Sequence, residues 1–304
     1  MDHRRIAVAS IAAIVCVTAS PAPTRAEPAD EWGPAAPVPE LNSAAADGCP
    51  IESPNGRAFY FASTRAGGLG GNDIWVAQRS NEGQPWEPPT HVPAPVNSAA
   101  NDFCPTPLPG NRLLFVSERP GPATCSAGPG LGDIYVTRIN PHHGPEEPLH
   151  LGCVSHGTGP NFDGPEFSPS LVTTDDGTWL YFSSTGYDNN MDIYVSVELP
   201  DGSFGSPTKV SELSTDADDR MPNVSRDGLE MVFVSNRADL AGAQGGLDVF
   251  VSRRASTSEP WSIPVNLGPN VNTAAAESRP SLSADGDRLY FGRLGDIYMS
   301  TRAA

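Results

Sequence analysis

Five carboxylates recur at one position of a repeated segment, and they are the residues best placed to do chemistry. Each is followed by two variable residues and a proline: Asp47 to Pro50, Asp102 to Pro105, Glu166 to Pro169, Asp219 to Pro222 and Glu277 to Pro280. Five positions upstream stands an amide or a hydroxyl, at Asn42, Asn97, Asn161, Ser214 and Asn272. Acids gathered at one end of a fold repel one another unless they are solvated, hydrogen-bonded to backbone N–H groups or bridged by a cation. Hard oxygen donors of this kind suit Ca²⁺ or Mg²⁺. Two carboxylates flanking a glycosidic bond could instead hydrolyse it. Acids outside the repeat are few, chiefly Asp188, Asp239 and Glu118. His142, His143, His150 and His156 fall near Cys153 and offer either a transition-metal site or an exposed loop. There is no nucleophile elbow, phosphate-binding loop or dinucleotide fingerprint.

The elements that must position these groups also repeat. Asp73, Asp133, Asp192, Asp248 and Asp296 each precede a short apolar run such as Ile74-Trp75-Val76, at separations of 60, 59, 56 and 48 residues. Within each unit the acid-to-proline segment leads to a turn built on Gly or Asn, as at Pro54-Asn55-Gly56 and Asp285-Gly286. An apolar strand, a variable loop and the Asp-led strand follow. A last strand opens near a Trp and a Pro, as in Trp86-Glu87-Pro88-Pro89 and Trp261-Ser262-Ile263-Pro264. Four short antiparallel strands, repeated five times without a helical period, predict an all-β, five-bladed β-propeller. Ring closure removes the long unpaired edges that one open sheet of this size would expose. The C-terminus stops after a third strand, and Trp32 to Val38 reads as an unmatched fourth one. The N-terminal strand is therefore expected to complete the last blade. Ser63-Thr64-Arg65, Ser117-Glu118-Arg119 and Ser235-Asn236-Arg237 recur after the second strand; blade three has Ser184-Thr185-Gly186, and blade five reaches Arg293 early. A residue present in almost every blade is architectural, and the arginines are expected to pair with the Asp that leads the third strand. Those aspartates are read as structural for the same reason.

These segments resemble the WD40-like β-propeller repeats of exported bacterial proteins, called PD40 repeats, of the TolB type. The resemblance rests on Asn272-Thr273, Glu277-Ser278-Arg279-Pro280-Ser281-Leu282-Ser283, Asp285-Gly286 and Leu289-Tyr290-Phe291, together with Ser63 to Arg65 and Gly70-Gly71-Asn72-Asp73-Ile74-Trp75-Val76. It covers roughly residues 32 to 302. It implies a propeller and, for most members, a binding module in the periplasm or outside the cell. TolB's additional N-terminal domain has no counterpart here, so no role in a Tol system is expected.

Residues 1–26 read as a secretory signal, with Arg4 and Arg5 before an apolar stretch, Ile6 to Val17, too short to span a bilayer. Thr24-Arg25-Ala26 places small residues for cleavage before Glu27. Cys16 offers a lipoprotein alternative, but no small residue directly precedes it. Residues 27–304 are expected to form a single domain. The net charge is −17, and removal of the leader's three arginines and one aspartate takes it to −19. Lys209 is the only lysine. Such a surface repels nucleic acid and anionic membranes.

Four cysteines remain after cleavage: Cys49, Cys104, Cys125 and Cys153. In an exported chain they predict two disulfides, and the sequence permits three pairings. If all four lie on the face where inner strands begin, Cys49 with Cys104 would tie two blades and Cys125 with Cys153 would pin two loops. That face would also carry the acids and asparagines as a binding site, the glycine-rich loops Ala66 to Asn72, Pro120 to Gly132 and Ala238 to Gly246, and the aromatics Phe103, Phe162 and Tyr187. The sequence favours a secreted or periplasmic monomeric binding module over an enzyme. Its expected ligand is a protein, peptide or cell-envelope glycan, with no membrane span. The alternative is a glycoside hydrolase or related carbohydrate-active enzyme using carboxylates at the tunnel mouth.

Overall fold

The computed structural model describes residues 32–120, 125, 131–140, 142–188 and 190–303. The proposed leader lies outside them. After β1 (Ala36–Pro37), blade one runs through β2 (Asp47–Glu52), β3 (Ala58–Ser63), β4 (Asp73–Gln78) and β5 (Thr90–His91). Blade two comprises β6 (Asp102–Leu108), β7 (Arg112–Ser117) and β8 (Asp133–Asn140), on whose end β9 (Gly144–Pro145) folds back, and then β10 (Leu149–His150). Blade three is β11 (Glu166–Thr174), β12 (Gly177–Ser184), β13 (Asp192–Val197) and β14 (Thr208–Lys209). Blade four is β15 (Asp219–Val224), β16 (Glu230–Ser235), β17 (Asp248–Arg253) and β18 (Val265–Asn266). Blade five is β19 (Glu277–Leu282), β20 (Arg288–Arg293), β21 (Asp296–Thr301) and, from the other end of the chain, β1. The predicted five-bladed propeller with N-terminal closure is what the chain forms.

Closure is built from backbone and core together. Ala36 pairs with Met299 and Pro37 with Tyr298. Gly33 N–H donates to Thr301 O at 2.7 Å and Val38 N–H to Ile297 O at 2.9 Å. Trp32, Val38 and Leu41 are buried. Each sheet has a neighbouring sheet on both faces, so its middle strands are apolar without alternation. Met231 to Val234 of β16, for example, are all fully buried. The core divides into five clusters, one at each junction between blades.

The tryptophans that open outer strands have a shared task. Arg79 stacks over Trp86 at 4.0 Å, Arg254 over Trp261 at 4.3 Å and Arg302 over Trp32 at 4.8 Å. In each case the arginine Nε donates to the carbonyl of a hairpin glycine, Gly56, Gly228 or Gly286. Those glycines have φ values of 67°, 77° and 77°, in the left-handed region where a side chain is unfavourable. The arginine thereby ties the first hairpin to the outer strand.

Inner strands β2, β6, β11, β15 and β19 pack around the axis. Each is interrupted by a bulge at its proline, which has no N–H for the ladder. The residue before the proline has positive φ in all five: Cys49, Cys104, Ser168, Met221 and Arg279. These five residues meet at the axis. The expected pair Cys49–Cys104 joins blades one and two there, and Cys125–Cys153 joins the loops before β8 and β11.

Candidate functional site

Each of the five acids begins an inner strand, on the face we call the top. Their side chains turn into their own blades. Asp47 accepts from Ser63 Oγ at 2.5 Å, Arg65 Nη2 at 2.6 Å and the Ser43 N–H and hydroxyl at 2.6 and 2.9 Å. Asp102 repeats this with Ser117, Arg119 and Ser98. Asp219 accepts from Arg237 and from the N–H and hydroxyl of Thr215. Glu277 accepts from Arg293 Nε at 2.8 Å and from Thr273. All four carboxylates are buried, and an arginine supplies the counter-charge that a cation would otherwise bring. Burial raises the Glu277 pKa, and hydrogen bonds from Thr273 and Arg293 work against that rise.

The arginines do not pair with the third-strand aspartates, contrary to the sequence expectation. The Ser of Ser-x-Arg lies directly across from both acids, as Asp47↔Ser63 and Ser63↔Asp73 show. The arginine turns towards the inner acid, where a carbonyl one loop away also receives it, as Leu41 O receives Arg65. Asp73 instead caps the loop before it, accepting from Leu69 N–H at 2.5 Å. The outer strand brings the other partner: His91 lies 3.6 Å from Asp73, His150 3.0 Å from Asp133, Lys209 2.5 Å from Asp192 and Asn266 3.0 Å from Asp248. In blade five, Asp296 faces Arg293 across the strand pair.

The asparagines clamp neighbouring blades. Asn97 accepts from Ile74 N–H at 2.7 Å and returns a bond to Ile74 O at 2.8 Å. Asn42 does the same with Ile297, Asn161 with Ile134 and Asn272 with Val249. Of the non-repeated acids, Glu118 accepts from Asn101 at 2.8 Å and Asp188 is held by Lys209 at 2.5 Å.

Blade three breaks the pattern. Gly186 stands where the arginine would be, with φ of 47°. A Cβ there would lie 1.9 Å from the Tyr194 hydroxyl, so no side chain fits. Glu166 consequently has no arginine. Its Oε1 accepts from Phe162 N–H at 3.1 Å and Ser184 Oγ at 2.9 Å, and its Oε2 is buried without a partner. Burial holds the Glu166 carboxyl well above the usual carboxylate range. The Ser184 hydrogen bond lowers it in part, and nearby Asp133 adds to the rise. Phe162, whose N–H meets Glu166, has its ring 4.9 Å from those of Tyr187 and Tyr194. Tyr187 is 65% exposed. Next to it, Asp188 is exposed and held below its usual pKa by its hydrogen bond to Lys209.

The histidine stretch does not gather. His142, His143 and His156 are exposed, while His150 is turned onto Asp133. Cys125, His150 and Cys153 do lie together, within 4.8 Å, but the two sulfurs are joined as a disulfide and are not thiolate ligands. Of the loops expected to shape the top face, most of Pro120 to Gly132 lies outside the described residues. In the blade-one loop a Cβ on Gly70 would meet Ala100 O at 1.9 Å, so that loop is pressed against the approach to blade two. No helix among the described residues is long and apolar enough to cross a membrane.

Sequence reasoning gave Asp188 and Tyr187 as candidates and grouped Glu166 with four acids it does not resemble. The gap at Gly186 was the available signal. Lys209 and Arg279 were passed over.

The chain matches no protein-family model and no curated protein sequence. Its structure is similar to that of the catalytic domain of a GH62 α-L-arabinofuranosidase from Coprinopsis cinerea, at 14% identity. That likeness covers 90% of this chain and 97% of that one, with a TM-score of 0.58. An α-L-arabinofuranosidase from Podospora anserina, solved in complex with cellotriose, is similar at 13% identity, over 90% of this chain and 97% of that one, with a TM-score of 0.56. A putative TolB from Agrobacterium tumefaciens is 17% identical over 85% of this chain and 76% of that one, with a TM-score of 0.48. The likeness to the arabinofuranosidases, at so low an identity, shows the five-bladed propeller fold.

Proposed function

We propose that this chain is a carbohydrate-directed propeller of the glycoside hydrolase kind, acting on a glycan held at the top of blade three. The observation that carries the reading is the buried Glu166, with no arginine and an unpartnered Oε2, accepting from the N–H of Phe162, whose ring meets that of Tyr187, the residue next to the Lys209-held Asp188. A glycosidase needs one acid that keeps its proton at neutral pH and one that has lost it. Glu166 would give its proton to the departing glycosidic oxygen. Asp188 would take a proton from the water that attacks the anomeric carbon, as the bond to the leaving group breaks. Tyr187 offers an exposed ring for a sugar face. Glu166 is itself covered, so the sugar would reach it by displacing Tyr187. Two propellers of similar structure carry names that speak of arabinofuranosidase activity, which supports glycans as the substrate class. The two disulfides suit an oxidising compartment outside the cytoplasm.

A second reading is a propeller that holds a glycan without cutting it. It is favoured by the four acids already neutralised by arginine. One experiment separates the two. Purified protein is given arabinofuranosyl- and xylosyl-substituted oligosaccharides, with products measured by chromatography and binding by calorimetry. Release of monosaccharide that disappears in Glu166→Gln and Asp188→Asn supports the hydrolase. Binding with no release, reduced in Tyr187→Ala, supports the second reading. Neither binding nor release across glycans of both kinds would overturn both.

A further inference from the structure

Among the described residues Arg279 is the largest fully buried side chain, and it has no acidic partner there. It occupies the pre-proline position of β19, where the other blades carry Cys49, Cys104, Ser168 and Met221. The arginine is therefore not part of the repeat, unlike Arg65, Arg119, Arg237 and Arg293. Its side chain crosses the axis from blade five to the junction of blades two and three. There Nη2 donates to Thr106 Oγ1 at 2.9 Å, with longer approaches of 3.4 Å to Pro105 O and Pro169 O. Nε and Nη1 are buried and have no acceptor.

The Cys49–Cys104 bridge, Ser168, Met221 and Arg279 together divide the tunnel. Towards the bottom face, where first and second strands are joined by hairpins, lies a cavity of about 410 Å³ lined by Glu52, Thr106, Arg112, Ser170 and Asn223 among others. Towards the top lies a cavity of about 200 Å³ lined by Gly48, Cys49, Phe103, Met221, Ser278 and Arg279. Asp47 also reaches this upper cavity, but its oxygens are taken by Arg65, Ser63 and Ser43. A Cβ on Gly48 would meet no atom within 4 Å, so the upper cavity that Arg279 also lines is open at Gly48.

A guanidinium taken from water with donors unmet is strongly unfavourable unless an opposite charge accompanies it. Burial lowers its pKa to about 9, which still leaves it cationic at neutral pH. We propose that the central tunnel is a binding site for a small monovalent anion, of halide or formate size, held against Nε and Nη1 of Arg279. The anion neutralises the plug and fastens blade five to the junction of blades two and three. Its location is distinct from the blade-three carboxylates and does not depend on what they do.

The test uses the whole chain. Thermal unfolding is followed in sodium chloride, bromide and formate, each against sodium gluconate at the same ionic strength, and crystals grown in bromide are examined for anomalous scattering. We expect a saturable rise in Tm with the small anions and an anomalous peak beside Arg279. At about 100 times Kd the rise should be roughly 5 °C or more. Chloride above formate would mark a halide site, and the reverse a carboxylate site; either supports the proposal. In Arg279→Met the dependence on small anions should vanish. If that variant fails to fold, Arg279→Lys and the wild-type bromide data carry the test. Equal Tm in chloride, formate and gluconate, with no anomalous peak at the tunnel, would overturn the proposal.

Discussion

Replacing Asp219 and replacing Glu166 by their amides should have very unequal consequences, although the two occupy equivalent positions. In Asp219→Asn the shape is kept but Arg237 loses its counter-charge. The two side chains are 0% and 4% exposed, so solvent does little to screen the loss. Breaking such a buried pair from one side costs about 3–5 kcal/mol. At about 2–4 °C per kcal/mol for a domain of this size, Tm should fall by roughly 6–20 °C. Glu166→Gln replaces a buried carboxyl that has no cation beside it. Phe162 N–H and Ser184 Oγ both donate to Oε1, and an amide oxygen can accept both. The buried amide N–H groups replace an oxygen that was already unpartnered, so the change should lie within about 2 kcal/mol of wild type. The pH dependence gives the sign. An unfolded glutamate ionises near pH 4.5, whereas Glu166 in the fold ionises at higher pH. Above pH 4.5 the folded state therefore holds more protons, and wild type loses stability as pH rises through that window. Below it both states are protonated and the contribution is absent. Differential scanning calorimetry from pH 4 to pH 8 should show Glu166→Gln gaining on wild type as pH rises. An Asp219-sized loss in Glu166→Gln at pH 7, or a gap that does not change with pH, would refute this account of the ring.

Other outcomes follow from the same structure. Deleting residues 32–41 removes buried Trp32, Val38 and Leu41 and exposes the edge of β21; at about 1.5–3 kcal/mol per side chain the loss approaches the whole stability of a domain, and soluble protein with an unchanged Tm would contradict it. A non-reducing peptide map should return Cys49–Cys104 and Cys125–Cys153. Replacing the first pair by alanines should cost about 4 kcal/mol by loop entropy, read as a lower denaturant midpoint. Trp86→Ala should loosen Arg79 and lower Tm, since Arg79 also holds Glu52 and Gly56 O, whereas Tyr187→Ala should leave Tm near wild type and act on glycan binding alone.

The fold was legible because its signals repeat. Five copies of an acid-to-proline segment and of an Asp-led strand define the blades, and the odd strand at Trp32 to Val38 predicts how the ring closes. Pairing partners were less legible for a geometric reason. Ser63 stands opposite Asp47 on one side and Asp73 on the other, so the arginine two residues on is equally near both acids in sequence terms. Only the packed loops decide between them. Blade three's departure was visible as Ser184-Thr185-Gly186, but its consequence depends on where the Tyr194 hydroxyl lies. Arg279 was a variable position within a motif until five bulges brought it to the axis.

The pairing of Ala36 with Met299 spans 263 residues, the difference between the two positions. A ribosome delivers one of these partners long before the other. Until then four complete blades and an unfinished fifth must wait, with the edge of β21 yet to be made and an apolar seam uncovered. Closure of the ring consequently waits for β21 and is slow by reason of its topology, and the interval before completion is when holding factors would be needed to keep unfinished rings from joining edge to edge.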